Sequence, residues 1–571
     1  MKDIPLYEVR PISSIKDMLY SSAELYSART AFLAKKKGSE KYSPITYKQF
    51  RSDVDAFGTA LMELGLGNKA IALIGENRYE WSVSYLATLC GVGTIVPLDK
   101  ELPLNEIESL LTRSKASAVI YSGSSKGQIA EFADKLDFIE HFVNMDDIEA
   151  AGKFISFNQL LAGGHELLKS GNTGFINAEI DAEAVNVLLF TSGTTDTSKA
   201  VMLSHRNLCT NLMSMSSMLC INPSDVFLSI LPIHHTYECT CGFLCPIYRG
   251  AAVAYFEGLR HIPKNMQESS ATVVLGVPLI FEAMYKRIWD QAAKSGMTKK
   301  LKLGITLSNF LRKFGIDITR KLFAPVYSNF GSKVRLFISG AAGIDPVVAK
   351  GFRDLGIHFV QGYGLTECSP IVALNRDVDF KDDAAGIPLP NLEVRIDNPG
   401  ADGIGEIAVK GPSVMLGYYQ NPEATDKVLK DGWFYTGDAG YMDEDKFIHI
   451  TGRIKDVIVT KNGKNIYPEE IETLVGRIPY VKESLVYGAS DEESGDVVVS
   501  CIVVPDMEKI QEQHPELEIS SEATYKLILD EIKAINKTLV NYKHIKYLRL
   551  KEEEFAKTTS KKIKRFMETK V

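Results

Sequence analysis

Cysteine is scarce in this chain, with eight among 571 residues. That is too few for a disulfide scaffold, and a reducing, cytoplasmic setting is expected. A basic excess is missing too. Lys and Arg number 65 against 72 Asp and Glu, a formal net charge of -7, so the electrostatic footprint of a nucleic-acid binder is absent. No apolar run approaches bilayer length; VNVLLF at 185–190 is the size of a buried strand. The first residues, MKDIPLYEVRPISSIKD, hold no apolar core of the kind a signal peptide has. No Gly-x-x-x-x-Gly-Lys-Ser/Thr stretch occurs, which excludes ordinary P-loop chemistry. Internal repeats and low-complexity tracts are lacking as well.

What is present is the texture of a globular protein, 45% hydrophobic and 24% charged, in a chain long enough for two or more domains. Short apolar runs at 71–74, 118–121, 187–190, 273–275 and 334–338 read as strands. Helical periodicity fills the spaces, as at 81–90. Such alternation predicts α/β layers with largely parallel sheets. The texture changes near Gly452. Strand-like pieces at 456–459, 483–487 and 497–504 follow, then a charged helix at 522–539 and a basic tail. The expected division is a large N-terminal α/β domain of layered sheets and helices, 1–453, and a smaller α+β domain, 454–571. Residues 297–321, MTKKLKLGITLSNFLRKFGIDITRK, mix basic side chains with Leu, Ile and Phe. The sharper reading is peripheral membrane contact through a helix on an anionic surface; the plainer is a packed helical pair with a solvated basic face. Nothing sets an oligomeric state.

After the strand at 187–190 comes Thr191-Ser-Gly-Thr-Thr-Asp-Thr-Ser-Lys199. A hydroxyl- and glycine-containing loop behind a buried strand offers backbone N–H groups and hydroxyl donors to phosphate oxygens, and Lys199 adds a point charge. The run resembles the signature of the acyl-adenylate-forming (AMP-binding) superfamily, Thr-Ser-Gly-Thr-Thr-Gly-x-Pro-Lys-Gly. It departs at Asp196, Ser198 and Ala200, and a carboxylate beside a triphosphate is unfavourable unless it turns away or meets a metal. The resemblance implies ATP binding by Thr191, Ser192, Gly193, Thr194, Thr195 and Lys199.

Further motifs follow in the family's order. Gln361-Gly-Tyr-Gly-Leu-Thr-Glu367 resembles its Tyr-Gly-x-Thr-Glu segment. This implies that Tyr363 stacks on adenine, Gly362 and Gly364 allow close backbone approach, Thr366 bonds the α-phosphate and Glu367 holds Mg²⁺. Ser339-Gly-Ala-Ala342 resembles the turn along the purine, through Gly340, Ala341 and Ala342. Tyr435-Thr-Gly-Asp438 and Thr451-Gly-Arg-Ile-Lys-Asp456 resemble the ribose site and the domain junction, implying Asp438 and Arg453 on the ribose and Lys455 in a hinge about which the small domain moves. Phe555-Ala-Lys-Thr-Thr-Ser-Lys-Lys-Ile-Lys-Arg565 resembles the segment of the catalytic lysine, which falls on Lys562. Gly463 resembles the small residue beside which a pantetheine thiol enters. The matches run from Glu76-Asn-Arg-Tyr-Glu-Trp81 to Lys562.

For the acid, Leu231-Pro-Ile-His-His-Thr-Tyr-Glu238 resembles the Leu-Pro-Leu-x-His-x-x-Glu form of long-chain fatty acyl-CoA synthetases, placing His235 near the acyl carboxylate. Cys239 and Cys241 lack the paired spacing of a zinc site and are expected to act as small hydrophobes beside an apolar channel. The implied activity is ligation of a medium- to long-chain fatty acid to coenzyme A, using ATP and Mg²⁺, through an acyl-adenylate. The alternatives are loading of an acyl or aryl acid onto an acyl carrier protein, and a nucleotide- or acyl-binding homologue with impaired catalysis.

Overall fold

The apolar runs become strands because their side chains are covered on both faces. Ile71, Ala72, Leu73 and Ile74 are all fully buried, as parallel strands with helices on both sides require. A computed structural model of the chain describes all residues except 1–3, 36–38, 124–125, 134, 147–150, 192–197, 462, 492–494, 520, 558–562 and 570–571. The fold is mixed α/β and divides into two units. The first is Met1–Glu393 with Val409–Phe434 and Asp445–Phe447; the second is Val394–Ala408, Tyr435–Glu444 and Ile448–Val571.

Among the described residues, the first unit holds two large sheets. One runs from Gly417–Tyr418 through Lys199–Leu203, Val187–Thr191, Gly93–Leu98, Lys69–Ile74, Ala116–Tyr121 and His141–Asn144 to Phe154–Ser156. It is parallel from Val187–Thr191 onward, whereas Val187–Thr191 and Lys199–Leu203 form an antiparallel hairpin with Thr191 opposite Lys199. The other sheet has a parallel centre in which Val226–Ser229, Val273–Gly276, Leu336–Ser339 and His358–Gly364 lie side by side. Chain reversal then pairs His358–Gly364 antiparallel with Ile371–Leu374.

Helix His205–Met218 begins at Ser204, whose hydroxyl accepts from Asn207 N while the Asn207 side chain accepts from Ser204 N, a reciprocal cap that satisfies two orphan donors. Helix Tyr79–Ala87 passes into a wider π turn, Thr88–Val92. The 297–321 stretch forms helix Thr298–Arg312 and the short helix Thr319–Leu322.

In the second unit, Val481–Ser490 pairs antiparallel with Val497–Pro505, which pairs parallel with Ile545–Leu550. Alternation puts Val486, Val499, Cys501 and Val503 on one face, packed with Ile471 and Val475 of helix Pro468–Val475 and with Ile528 and Ile532 of helix Glu522–Asn536. The other face carries Leu485, Ile502 and Val504 against Phe555. No described helix is long and apolar enough to cross a membrane.

Candidate active site

The hairpin brings the two ends of the phosphate loop together. Thr191 donates from Oγ1 to Lys199 O over 3.4 Å, and Ser192, Gly193, Thr194 and Thr195 lie outside the described residues, as does Asp196. Ser198, which stands where the signature has proline, is held by Arg113, whose guanidinium donates to its Oγ at 3.1 Å and its carbonyl at 2.7 Å.

Lys199 Nζ lies 4.7 Å from the centre of the Tyr418 ring, within cation–π range. Tyr418 reaches this position because Gly417–Tyr418 pairs antiparallel with Val201 and Met202. Its hydroxyl donates to Glu367 Oε1 at 2.8 Å, and Met415 N donates to the Glu367 carbonyl at 2.8 Å. Next to Glu367, Thr366 Oγ1 lies 3.3 Å from Thr236 Oγ1, and Thr236 follows His235 in the chain. Side-chain contacts from Lys199 to Tyr418 to Glu367, and from Thr366, the neighbour of Glu367 in the chain, to Thr236 beside His235, therefore connect these motifs within one unit.

The Tyr363 strand needs glycine at its end. A Cβ on Gly364 would lie 2.1 Å from the Pro370 carbonyl oxygen, so the return strand comes as near as it does only without a side chain. Tyr363, Gly364, Thr366 and Glu367 are half-buried, open enough to meet a ligand. Two asparagines of helix His205–Met218 hold this region. Asn211 Nδ2 donates to Cys368 O at 3.1 Å and Ile371 O at 2.8 Å while Oδ1 accepts from Ile371 N. One turn earlier, Asn207 Nδ2 donates to Pro412 O and Val414 O at 2.8 and 2.9 Å.

The small-residue turn is shaped by Tyr237. Its hydroxyl donates to Ile338 O at 3.0 Å, and its ring would stand 2.8 Å from a Cβ on Gly340. Ala341 takes a left-handed conformation, φ 71°, a cost that non-glycine residues bear mainly where function requires it, and Ala341 and Ala342 are exposed.

The two histidines differ. His235 is half-buried, its ring 4.2 Å from that of His234. His234 is buried, with Nε2 3.6 Å from Asp99 Oδ2, and burial, then the neighbouring His235, holds its pKa well below the usual histidine range. Behind them Glu238 is buried and accepts from Ser229 Oγ at 2.6 Å. Desolvation pushes its carboxyl up to about 8, against the lowering effect of the Ser229 bond and the Leu231 N–H, so it is protonated at neutral pH. Asn77 ties the segment down, donating to Ser229 Oγ at 2.8 Å and Leu231 O at 2.7 Å and accepting from Ile233 N. Cys239 and Cys241 are buried in helix Tyr237–Leu244, where desolvation raises both thiol pKa values.

In the second unit Asp438 sits opposite Arg453 on paired strands, with Nε 2.8 Å from Oδ1. Thr436 Oγ1 accepts from Asp438 N and donates to Ile407 O. Lys455 is exposed in the 3-10 turn Ile454–Asp456. Gly463 has φ 69° in a turn closed by Gly463 N donating to Thr460 O at 2.9 Å, a conformation for which glycine is suited. Lys562 lies outside the described residues. Beyond it, Arg565 donates to Glu472 at 2.6 Å and to Val486 O at 3.0 Å.

Tyr418, Asn77, Asn207, Asn211 and Arg113 were not among the residues the motifs single out. Tyr418, Asn207, Asn211 and Arg113 act by holding a motif rather than belonging to one, whereas Asn77 lies inside the matched run Glu76–Trp81 without a role assigned to it there.

Residues 19–419 match the family described as AMP-binding enzyme, and residues 470–562 the AMP-binding enzyme C-terminal domain. A long-chain-fatty-acid–CoA ligase of Salmonella typhimurium is 28% identical over 546 residues, covering 88% of each chain. Among solved structures, an anthranilate CoA ligase, AuaEII, in complex with anthranoyl-AMP superposes with a TM-score of 0.76 at 21% identity, covering 99% of this chain and 98% of the other. ATP-bound MatB from Rhodopseudomonas palustris gives 0.74 at 24% identity over 97% and 98%.

Proposed function

The chain belongs to the AMP-binding enzymes, and we propose that it joins a medium- to long-chain fatty acid to coenzyme A through an acyl-adenylate. The ligase class accords with curated relatives named long-chain-fatty-acid–CoA ligase. One observation carries the reading most: the contact series from Lys199 through Tyr418, Glu367 and Thr366 to Thr236 beside His235. It puts the phosphate-side and acid-side motifs next to each other. The fatty acid is favoured by the Leu231–Glu238 segment and by the buried Phe243 and Leu244 of the helix that follows it. Each methylene buried from water adds about 0.8 kcal/mol, so an apolar channel selects chain length without polar contacts.

In the proposed first step a carboxylate oxygen attacks the α-phosphorus of ATP, the bond to the bridging oxygen breaks, and pyrophosphate leaves with the electron pair. Lys199 and the loop hydroxyls hold the phosphates, Thr366 bonds the α-phosphate, Tyr363 and the Gly340–Ala342 turn bind adenine, and Asp438 and Arg453 the ribose. Lys562 stabilises the charge moving onto the phosphate oxygens. Glu367 suits a Mg²⁺ ion. Its Oε1 accepts from the Tyr418 hydroxyl, and among the described residues it forms no ion pair, which suits a carboxylate that is to meet a hard cation. Bound there, Mg²⁺ would offset phosphate charge. In the second step a thiolate attacks the acyl carbonyl, AMP departs and a thioester forms, with Gly463 beside the thiol and Lys455 as the pivot between steps.

The acceptor is tested by product identification. Incubated with ATP, MgCl₂ and palmitate, the chain should place palmitate on free coenzyme A. Transfer to holo-acyl carrier protein alone would overturn the coenzyme A assignment and favour the carrier-loading reading.

A further inference from the structure

Helix Thr298–Arg312 is turned inside out relative to a surface helix. Its buried positions are Gly304 and Ser308. Gly304 lies against Leu322 and Phe323. On the same side Asn309 Nδ2 donates to Asp354 at 3.0 Å and Arg312 Nη1 to Arg353 O at 2.8 Å. The large apolar side chains point the other way: Leu303, Leu307, Phe310 and, just past the helix, Phe314 and Ile316 are exposed, Leu303 by 70% and Phe314 by 67%. At about 100° per residue, positions 303, 307, 310 and 314 fall in a stripe about 60° wide. The rings of Phe310 and Phe314 pack edge to face at 5.2 Å, so the stripe is a continuous surface.

A helix whose small polar face packs inward and whose apolar face meets water has given up burial that the reverse orientation would gain, unless something covers the outer face. The charge around the stripe says what that is. Lys299, Lys300, Lys302 and Lys313 are exposed along its flanks. The one acid of the stretch, Asp317, is engaged by Thr319 N and Oγ1. Apolar side chains bordered by four exposed lysines, with Asp317 as the one carboxylate of the stretch and already hydrogen-bonded to Thr319, match an anionic bilayer, with the stripe among the acyl chains and the ammonium groups at the headgroups.

We infer that this face docks on an anionic lipid surface. The inference deepens the fatty-acid reading, since such acids partition into bilayers, but it stands on the surface itself and is tested without ATP or acid. The full chain is sedimented with vesicles of phosphatidylcholine, with and without phosphatidylglycerol, at low and high salt. Binding to the anionic vesicles, weakened by salt, is expected. Leu303→Ser, Leu307→Ser and Phe310→Ser together should weaken it about ten-fold or more, and Lys299→Glu, Lys302→Glu and Lys313→Glu by about five-fold per lysine. These side chains are exposed, so thermal midpoints should stay unchanged and report folding. Absence of wild-type binding, or equal binding by the serine variant, overturns the inference. So does lipid-free self-association that the serine variant abolishes while vesicle binding persists, which would assign the face to a second copy. None of these outcomes bears on pyrophosphate release, so a failed docking surface and a failed ligase reading are told apart.

Discussion

Tyr418 is the residue on which the two halves of the proposed phosphate site meet. Its ring carries Lys199 and its hydroxyl fixes Glu367, so one side chain orients both charges. Hydrogen bonds to charged groups contribute about 1.5–3 kcal/mol, and Tyr418→Phe should therefore lower kcat/KM for MgATP roughly ten- to hundred-fold in a pyrophosphate-release assay. Unfolding free energy should fall by no more than about 1.5–3 kcal/mol, the contribution of that bond, because the ring remains. Glu238 offers a stability test. Its folded pKa of about 8 lies above the ordinary 4.5. The folded state thus binds a proton that the unfolded state has lost, and the contribution, complete below about pH 4.5, disappears as pH rises to about 8. Relative to wild type, Glu238→Gln should gain thermal stability across that window, measured as the difference between melting temperatures. A pH-independent difference would show an ordinary carboxyl. Neither residue stood out from the motifs: Glu238 closes a quoted segment, and its protonation depends on burial that no local pattern reveals.

At the scale of elements, helix His205–Met218 is the beam behind the site. Asn211 occupies three backbone groups of the 368–371 reversal. Asn211→Ala strands them, and buried unsatisfied groups cost about 1–3 kcal/mol each. A loss of about 2–3 kcal/mol in denaturant unfolding is expected after partial relaxation, together with a raised KM for ATP as the Thr366–Glu367 turn loosens. A loss under about 0.5 kcal/mol would show that other contacts hold the turn. The elements themselves were legible. Strands foreseen at 71–74, 118–121, 187–190 and 273–275 appear as Lys69–Ile74, Ala116–Tyr121, Val187–Thr191 and Val273–Gly276, because β-branched apolar runs fit a doubly covered sheet whatever lies beside them. The expected strand at 334–338 starts later, at Leu336–Ser339. Helix 522–539 stops at Asn536, and Asn536 turns its side chain to Ile545 N and O, a contact with the following strand that periodicity does not contain.

For the whole molecule, the α/β class and a separate smaller sheet unit followed from texture. The inclusion of 394–408 and 435–444 in the second unit did not, since those segments reach it through strand pairing across sequence. The division of labour between half-reactions is a property at this scale. Lys562→Ala should abolish adenylation, by about 10²–10³ or more, yet spare thioester formation from supplied acyl-adenylate. Equal loss of both would contradict separate roles for Lys562 and the Gly463 turn. The departures in the phosphate loop bear on the same scale: a large gain in ATP turnover by Asp196→Gly would mark the natural loop as impaired and support the binding-protein reading. The contact series from Lys199 to the His235 segment is proposed to serve fatty-acid activation. Its most direct test is pyrophosphate release from MgATP across a series of fatty and aryl acids, with and without coenzyme A. Release with medium- to long-chain fatty acids, increased by coenzyme A, is expected. Release with aryl acids only, or with no acid at all in the series, would contradict that role.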